Sequence, residues 1–243
     1  MAERADGRKQ KPDRGRRRFV AAAGALGAAG FTGCLTAIGG DDGPEVEGEV
    51  VLQPPENYES ILEIDPAYPV HGESLPDAEV HDVVRDETVS TRGFVNERHV
   101  LITFIFTDCP SACPALEACL THAQAEAAEK GYADDVALIA VTFDPENDTP
   151  EVLREHGETI GVDYDANNWY FLRPDDDEHA REVVEETFGQ YYRRNEPDAM
   201  MRFDHLPLLV LANKDGYVER AYANEPPSPR KVLDDLNAVV EGY

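Results

Sequence analysis

An apolar segment that runs directly into two closely spaced cysteines most constrains how this chain folds. Residues 100–106 are apolar or β-branched, a length that favours a buried central strand over a helix. Cys109 and Cys113 follow, and Pro114 suits the first turn of a helix, where a missing N–H group costs nothing. The sequence therefore predicts a strand, a tight turn with two thiols and a helix, whose positive amino end favours thiolate over thiol.

Two thiols at this spacing allow three interpretations. They could be small buried hydrophobic residues, although structural cysteines more often lie within elements than at a turn. They could form a redox disulfide, since one helical turn brings their Cα atoms near the separation of about 4.4–6.8 Å that a disulfide requires. They could also be two soft ligands for a soft metal ion. The spacing alone does not decide between the last two interpretations.

The first 33 residues are typical of an export signal rather than of a folded domain. Three arginines at 16–18 precede an apolar, small-residue stretch at 20–31, which is too short for a membrane span. The paired arginines followed by Phe19 indicate the twin-arginine route. Cys34 is placed as in a lipoprotein box, so we expect a lipid anchor at the outer face of the cell membrane. The alternative is a plain cleaved signal.

The charge of the chain excludes one class of partner. It has 22 Lys and Arg against 49 Asp and Glu, a formal net charge of -27. Cleavage after residue 33 would leave 14 basic and 46 acidic residues, a net charge near −32. Such a charge excludes nucleic acid as a natural partner and repels an anionic bilayer. Acidic residues spread along a lysine-poor chain are typical of halophilic proteins, in which salt screens self-repulsion.

The remaining chain is expected to form one α/β domain. Residues 34–75 are rich in Gly, Pro and acidic residues and predict a linker and an irregular lead-in, whereas residues 76–243 suffice for one core. In that domain a hairpin precedes strands that alternate with helices, and a second hairpin and a helix close it. The predicted strands lie at 100–106, 136–143, 168–172 and 206–212, and the predicted helices begin near Pro114, Pro150, Glu178 and Pro229. This order predicts a thioredoxin-like mixed sheet flanked by helices, with an N-terminal β-hairpin.

Three separated motifs add a family resemblance. Residues 106–114 agree with the signature Phe-Thr-x-Cys-Pro-x-x-Cys-Pro, and residues 141–150 contain the pattern Asp-Pro-x-x-Asp-Thr. Residues 204–216 agree with a segment in which Asp-His precedes an apolar strand and Lys-Asp-Gly. Over residues 76–242 the chain thus resembles the Sco/SenC family, thioredoxin-fold copper-binding proteins linked to assembly of the CuA centre of cytochrome c oxidase.

The resemblance implies a metal site and a function. Cys109, Cys113 and His205 fall where the family places its copper ligands. The expected protein is a monomeric, membrane-tethered copper chaperone whose partner is the CuA subunit of a terminal cytochrome c oxidase. Two thiolates and one imidazole suit both Cu(I) and Cu(II), while zinc is the competitor because it also accepts a Cys₂His set. Taken alone, His205 would more often be a hydrogen-bonded surface residue.

Three carboxylates are expected at the same end of the sheet as the thiols. Asp108, Asp144 and Asp148 either cap turns or act around the site, by orienting ligands or recognising a partner. Cys119 lies on the apolar face of the predicted helix and is expected to be a core residue. The other histidines are expected to be surface or structural residues; they are His71, His81, His99, His122, His156 and His179.

Pro207 departs from the family pattern and supports an alternative function. Ordinary thioredoxins carry a cis-proline just before an apolar strand that faces their redox pair, so the sequence predicts a cis peptide bond before Pro207. The alternative is a thiol–disulfide oxidoreductase that keeps the CuA-subunit cysteines reduced, with Cys109 as nucleophile and Cys113 as resolving thiol. A thiol peroxidase is a weaker third candidate, because Arg98 is the one arginine near Cys109 in sequence.

Overall fold

The computed structural model describes residues 49–196 and 201–243. The predicted signal, Cys34 and the first part of the predicted lead-in lie outside the described residues. Within those two ranges, every helix is too short or too polar to span a membrane.

The described chain alternates strands and helices as the sequence predicted. The helices are α1 (Tyr58–Ile64), α2 (Cys113–Lys130), α3 (Pro150–Ile160), α4 (Asp177–Ala180) and α5 (Pro229–Glu241). The strands are β1 (Glu79–Asp82), β2 (Glu87–Ser90), β3 (His99–Ile105), β4 (Val136–Thr142), β5 (Trp169–Arg173), β6 (Tyr192–Arg194), β7 (Phe203–His205), β8 (Leu208–Ala212) and β9 (Val218–Ala223).

Seven of the strands form one mixed sheet in the order β2-β1-β5-β4-β3-β8-β9. The central strands β3, β4 and β5 are parallel, and the outer strands pair antiparallel to their neighbours. All residues of β3 and β4 are buried, which explains their nearly continuous apolar sequence. The predicted mixed sheet and its N-terminal hairpin, β1–β2, are confirmed.

Helices cover the sheet. The crossovers β3–α2–β4 and β4–α3–β5 run in one direction between adjacent parallel strands, so right-handed connections place α2 and α3 on the same face. At the end of α2, the Tyr132 hydroxyl donates to Asn237 Oδ1 of α5 at 2.9 Å. A π-helical turn, Arg181–Thr187, continues α4, and the Phe188 ring after it lies 5.0 Å from that of Phe104 in β3.

Two parts of the chain differ from the predicted elements. The lead-in contains α1 and is held in place by the buried carboxylate of Glu219, which accepts the N–H groups of Val51 and Leu52 at 2.9 Å. The hairpin formed by β6 and β7 was not predicted either, and it lies outside the central sheet. Both depend on contacts with distant parts of the chain, which local sequence patterns do not reveal.

The predicted cis bond before Pro207 is wrong, because no peptide bond among the described residues is cis. The reason lies in the backbone on either side. The Leu206 N–H group donates to the Tyr191 carbonyl at 3.1 Å, and the Asn224 N–H group donates to the Pro207 carbonyl at 3.0 Å. With a trans peptide bond before Pro207, the chain therefore passes from β7 to β8 and hydrogen-bonds the backbone of Tyr191 on one side and of Asn224 on the other.

Candidate metal centre

The two thiols lie at the carboxyl end of the central strand β3. The Cys109 N–H group donates to the Phe106 carbonyl at 3.1 Å, which closes a tight turn, and α2 then begins at Cys113 with Pro114 in its first turn. Cys109 is 6% exposed and Cys113 is 1% exposed. Both cysteines are therefore buried where the central strand ends, with Cys109 the more accessible.

Asp148 connects the cysteine turn to the neighbouring strand. Its fully buried carboxylate accepts hydrogen bonds from the hydroxyls of Thr107 and Thr142, each at 2.5 Å, and from the Thr107 N–H group at 3.2 Å. Burial raises the pKa of Asp148, and these hydrogen bonds oppose the shift. Asp148 thus joins the end of β3 to the end of β4.

His205 reaches the site from the separate β6–β7 hairpin. In this hairpin His205 pairs with Tyr192, and the neighbouring Phe203 is 1% exposed. The Phe203 ring packs 5.2 Å from Phe106 and 5.3 Å from Phe143, while the His205 ring lies 5.4 Å from Phe143. Aromatic packing therefore holds the hairpin over the end of the sheet that carries the cysteines.

The structure brings the three predicted ligands together. His205 Nε2 lies 3.3 Å from Cys109 Sγ and 3.9 Å from Cys113 Sγ. All three donor atoms lie within 4.8 Å of one another, and they form the one such metal-binding group in the described ranges. The buried His205 Nδ1 has no hydrogen-bond partner there. The polar contacts of this ring are thus the two sulfurs, which is not the arrangement of a hydrogen-bonded surface histidine.

These donors fit one soft or borderline ion. Metal–sulfur and metal–nitrogen bonds measure about 2.3 Å and about 2.0–2.1 Å in zinc sites, so two such donors on one ion are separated by no more than about 4.4 Å. The observed nitrogen–sulfur distances of 3.3 and 3.9 Å satisfy this limit. Two sulfurs and one imidazole suit copper, and the same set with an open position also suits zinc.

The two thiols differ in acidity. Hydrogen bonding from the Cys113 thiol, followed by that from His205 and Ser111, lowers the pKa of Cys109 to about 3 against the effect of burial. The same interaction with Cys109, together with burial, raises the pKa of Cys113. At neutral pH the pair therefore holds one thiolate, centred on Cys109, and one thiol.

The other two predicted carboxylates are held by an arginine that the sequence did not single out. Arg202 donates to Asp108 Oδ2 at 3.0 Å and to Asp144 Oδ2. Asp144 is fully buried, whereas Asp108 is exposed. In the described part of the chain, none of the three carboxylates hydrogen-bonds a ligand side chain directly. Their hydrogen bonds go instead to neighbouring residues of the turns and to Arg202.

Several other candidates lie outside the site. Cys119 is fully buried and its thiol donates to the Ala115 carbonyl at 3.3 Å, which confirms it as a core residue. Arg98 precedes β3 and bonds the Tyr170 hydroxyl at 3.1 Å, so the length of the strand, roughly 20 Å, separates it from Cys109. A peroxidase that uses Arg98 to activate Cys109 is therefore not supported.

Comparison with known proteins identifies the family. The SCO1/SenC family profile matches residues 83–241. An SCO1 protein homolog of Bacillus subtilis is 28% identical over 136 residues, which are 56% of this chain and 66% of that protein. An SCO2-like protein of Rickettsia prowazekii is 30% identical over 128 residues, or 50% of this chain and 57% of that protein. The matched segments thus span less than two thirds of these curated relatives.

Solved structures share the fold. BsSco, a member of the Sco family of cytochrome c oxidase assembly proteins, has a TM-score of 0.55 at 24% identity, covering 71% of this chain and 96% of that one. A SCO1/SenC family lipoprotein of Bacillus anthracis has a TM-score of 0.57 at 20% identity, covering 69% and 95%. Copper-bound yeast Sco1 has a TM-score of 0.55 at 18% identity, covering 70% and 91%. With the family profile matching most of the folded domain, the chain belongs to the SCO1/SenC family.

Proposed function

We propose that this protein is a membrane-tethered copper chaperone that delivers copper to the CuA site of a terminal cytochrome c oxidase. The observation that carries the proposal is the approach of His205 Nε2 to both sulfurs, at 3.3 and 3.9 Å. Support comes from relatives of the same fold, since yeast Sco1 binds copper and BsSco belongs to a family of oxidase assembly proteins.

Each ligand has a distinct part in carrying copper. Cys109 and Cys113 supply soft sulfur donors, which suffice for Cu(I) because this ion tolerates low coordination numbers. His205 adds the nitrogen donor that favours Cu(II). A three-donor site at the surface end of the sheet leaves coordination positions open to a partner's ligands, so it can release its cargo. The likeness to copper-bound relatives, rather than the number of donors, favours copper over zinc.

The tether and the partner complete the proposal. Cys34 would carry the lipid that holds the domain at the outer face of the membrane, and the Bacillus anthracis relative is itself called a lipoprotein. The domain would act as a monomer on the CuA subunit. Mass spectrometry of the membrane-extracted protein checks the anchor, since an unmodified Cys34 would remove it from the proposal.

Copper titration of the reduced domain tests the chaperone function. We expect one equivalent of Cu(I) or Cu(II) per chain, and we expect His205→Ala to weaken Cu(II) binding sharply while retaining Cu(I). His122→Ala is the matched control, because His122 is exposed on α2. Equal Cu(II) affinity in the two variants would contradict the proposed site.

The free thiol pair also favours a second candidate, a thiol–disulfide oxidoreductase. Cys109 and Cys113 are both free, and the lowered pKa of Cys109 makes it the nucleophile. Its thiolate would attack a partner disulfide, forming a mixed disulfide and releasing one partner thiolate. Cys113, after losing its proton, would then attack Cys109 Sγ and release the second partner thiolate, so two electrons pass to the partner.

Activity assays separate the two candidate functions. If reduction of the CuA-subunit cysteines is the main role, His205→Ala retains reductase activity and Cys109→Ser abolishes it. If copper transfer is the main role, both substitutions abolish formation of the CuA centre from the Cu(II)-loaded protein and a reduced CuA subunit.

A further inference from the structure

Besides aromatic packing, a guanidinium connects the hairpin that carries His205 to the cysteine turn. Arg202 lies directly before β7, three residues from His205, and bonds both Asp108 and Asp144. Asp108 is the residue directly before Cys109. We propose that Arg202 is a positioning residue that holds the imidazole of His205 over the two sulfurs before any metal binds.

Both anchors of Arg202 belong to the rigid end of the sheet. Asp144 follows β4 and is fully buried, and its carboxylate also accepts from Asn147 Nδ2 at 2.9 and 3.1 Å. Asp108 belongs to the turn that Asp148 holds through Thr107. A contact from Arg202 to either carboxylate therefore fixes the position of the hairpin relative to the strands that carry the thiols.

The second strand of the hairpin reinforces the same contact. Arg194 of β6 reaches Asp144 at 3.4 Å and Asp177 at 3.0 Å, and its guanidinium lies 4.9 Å from the centre of the Phe203 ring. Arg202 differs from Arg194 because it alone spans from Asp144 to the cysteine turn. The planar guanidinium of an arginine directs separate N–H groups at two carboxylates, so it suits such a bridge. The single ammonium group of a lysine does not have this geometry.

This arrangement matters for the proposed function, on which the inference rests. Among the described residues, the hairpin forms no backbone ladder with the central sheet, so side-chain contacts decide where His205 lies relative to the sulfurs. Without them, metal binding would have to supply the free energy that orders the hairpin, and affinity would fall. Cu(II) depends on the nitrogen donor and would lose affinity, whereas Cu(I) held by two thiolates would not.

Removing Arg202 should change copper affinity in opposite directions, depending on whether Arg202 acts through its charge or by positioning His205. An arginine near a cation site repels the ion, so its loss acting through charge alone would raise copper affinity. Loss of a positioning contact lowers copper affinity, and substitutions of groups that orient ligands typically cost about 10–100-fold. The sign of the change therefore separates the proposed role from simple electrostatics.

The test compares Arg202→Ala with Arg230→Ala in the full chain. Arg230 is exposed on α5, so its substitution removes the same charge and leaves the hairpin contacts intact. We expect Arg202→Ala to lower Cu(II) affinity by about 10-fold, with Cu(I) affinity unchanged. Electron paramagnetic resonance of the Cu(II) form should show weaker nitrogen coupling in Arg202→Ala, and Arg202→Lys should fall between this variant and the wild type.

The copper affinities of these variants separate failure of the Arg202 role from failure of the proposed function. The role of Arg202 is overturned if Arg202→Ala binds Cu(II) as tightly as Arg230→Ala or more tightly, with nitrogen coupling intact. In that case a strong effect of His205→Ala would still support the metal site. If His205→Ala has no effect either, the proposed function itself fails. If Arg202→Ala does not fold, Arg202→Lys provides the test, because it keeps a cation beside the buried Asp144. Wild-type Cu(II) affinity and nitrogen coupling in Arg202→Lys would overturn the proposal.

Discussion

The two halves of the metal centre are built in contrasting ways. The sulfur half stands on β3, which is hydrogen-bonded to β4 and β8, and on α2, whose buried residues belong to the core. Both cysteines are buried. The nitrogen half stands on the short hairpin β6–β7, which pairs only with itself among the described strands. Aromatic packing of Phe203 and the ionic bridge of Arg202 attach it.

Under the proposed copper function, this difference would let one site serve two oxidation states. A rigid pair of sulfurs would keep Cu(I) bound whatever the position of the hairpin. A separately attached imidazole can be gained or lost without unfolding the domain, so the Cu(II) affinity can be changed by contacts that leave the sheet intact. The contrast can be tested by substitutions that act on one half at a time.

The largest expected effect comes from the aromatic attachment of the hairpin. Phe203 is 1% exposed, so Phe203→Ala should lower the free energy of unfolding by about 3–5 kcal/mol if the hairpin unfolds together with the sheet. Urea unfolding checks this, with the exposed neighbour Tyr191→Ala as control. A loss below about 1 kcal/mol with Cu(II) binding abolished would instead mean that the hairpin opens by itself.

The next largest effect concerns the sulfur half. Cys113→Ser removes a proposed metal ligand, and we expect Cu(I) affinity to fall by more than about 100-fold, the upper end of the effects seen when only ligand-orienting groups are changed. Competition with a Cu(I) chelator measures it. The matched control is Cys119→Ser, because Cys119 is a buried thiol outside the site. A lost copper equivalent in Cys119→Ser would show that a third thiol takes part.

A smaller effect is expected from pH on the packing behind the sulfur half. His156 Nε2 lies 2.5 Å from the Glu117 carboxylate, and this bond raises the pKa of His156 above its ordinary value of about 6.5. The pair therefore stabilises the fold fully below pH 6.5, and this contribution is lost as pH rises through the raised pKa.

Urea unfolding at pH 6 and pH 9 measures this contribution. His156→Gln should remove that part of the pH dependence, whereas His122→Gln, on an exposed position of α2, should retain it. Identical pH profiles for the wild type and His156→Gln would contradict the role assigned to the pair.

The smallest effect is expected at the exposed edge of the hairpin. Arg193 and Asp204 pair at 2.6 Å, but both side chains are largely open to water, where such pairs contribute little. Arg193→Gln should leave both the urea midpoint and the Cu(II) affinity near those of the wild type. A loss of Cu(II) affinity equal to that of Arg202→Ala would mean that hairpin charge in general, rather than the bridge to Asp108 and Asp144, positions His205.

Local signals predicted the sulfur half well. The apolar run of β3, the turn at Cys109 and the helix that begins at Cys113 depend on neighbours in sequence, and so does the cap of α3, where Thr149 accepts from the Val152 N–H group. Local signals failed for the β6–β7 hairpin and for α1. Both are stabilised by distant partners, such as Phe106 for the hairpin and Glu219 for the lead-in.

The sequence by itself determined the candidate ligand residues, the order of the strands and helices of the central sheet and the family resemblance, because motif spacing and hydrophobic periodicity are local properties of the chain. Only the tertiary structure decided how the β6–β7 hairpin brings His205 to the sulfurs, that Pro207 is trans and that Arg202 bridges two carboxylates. These features depend on hairpin docking, in which long-range aromatic and ionic contacts outweigh the entropy of ordering the connecting chain.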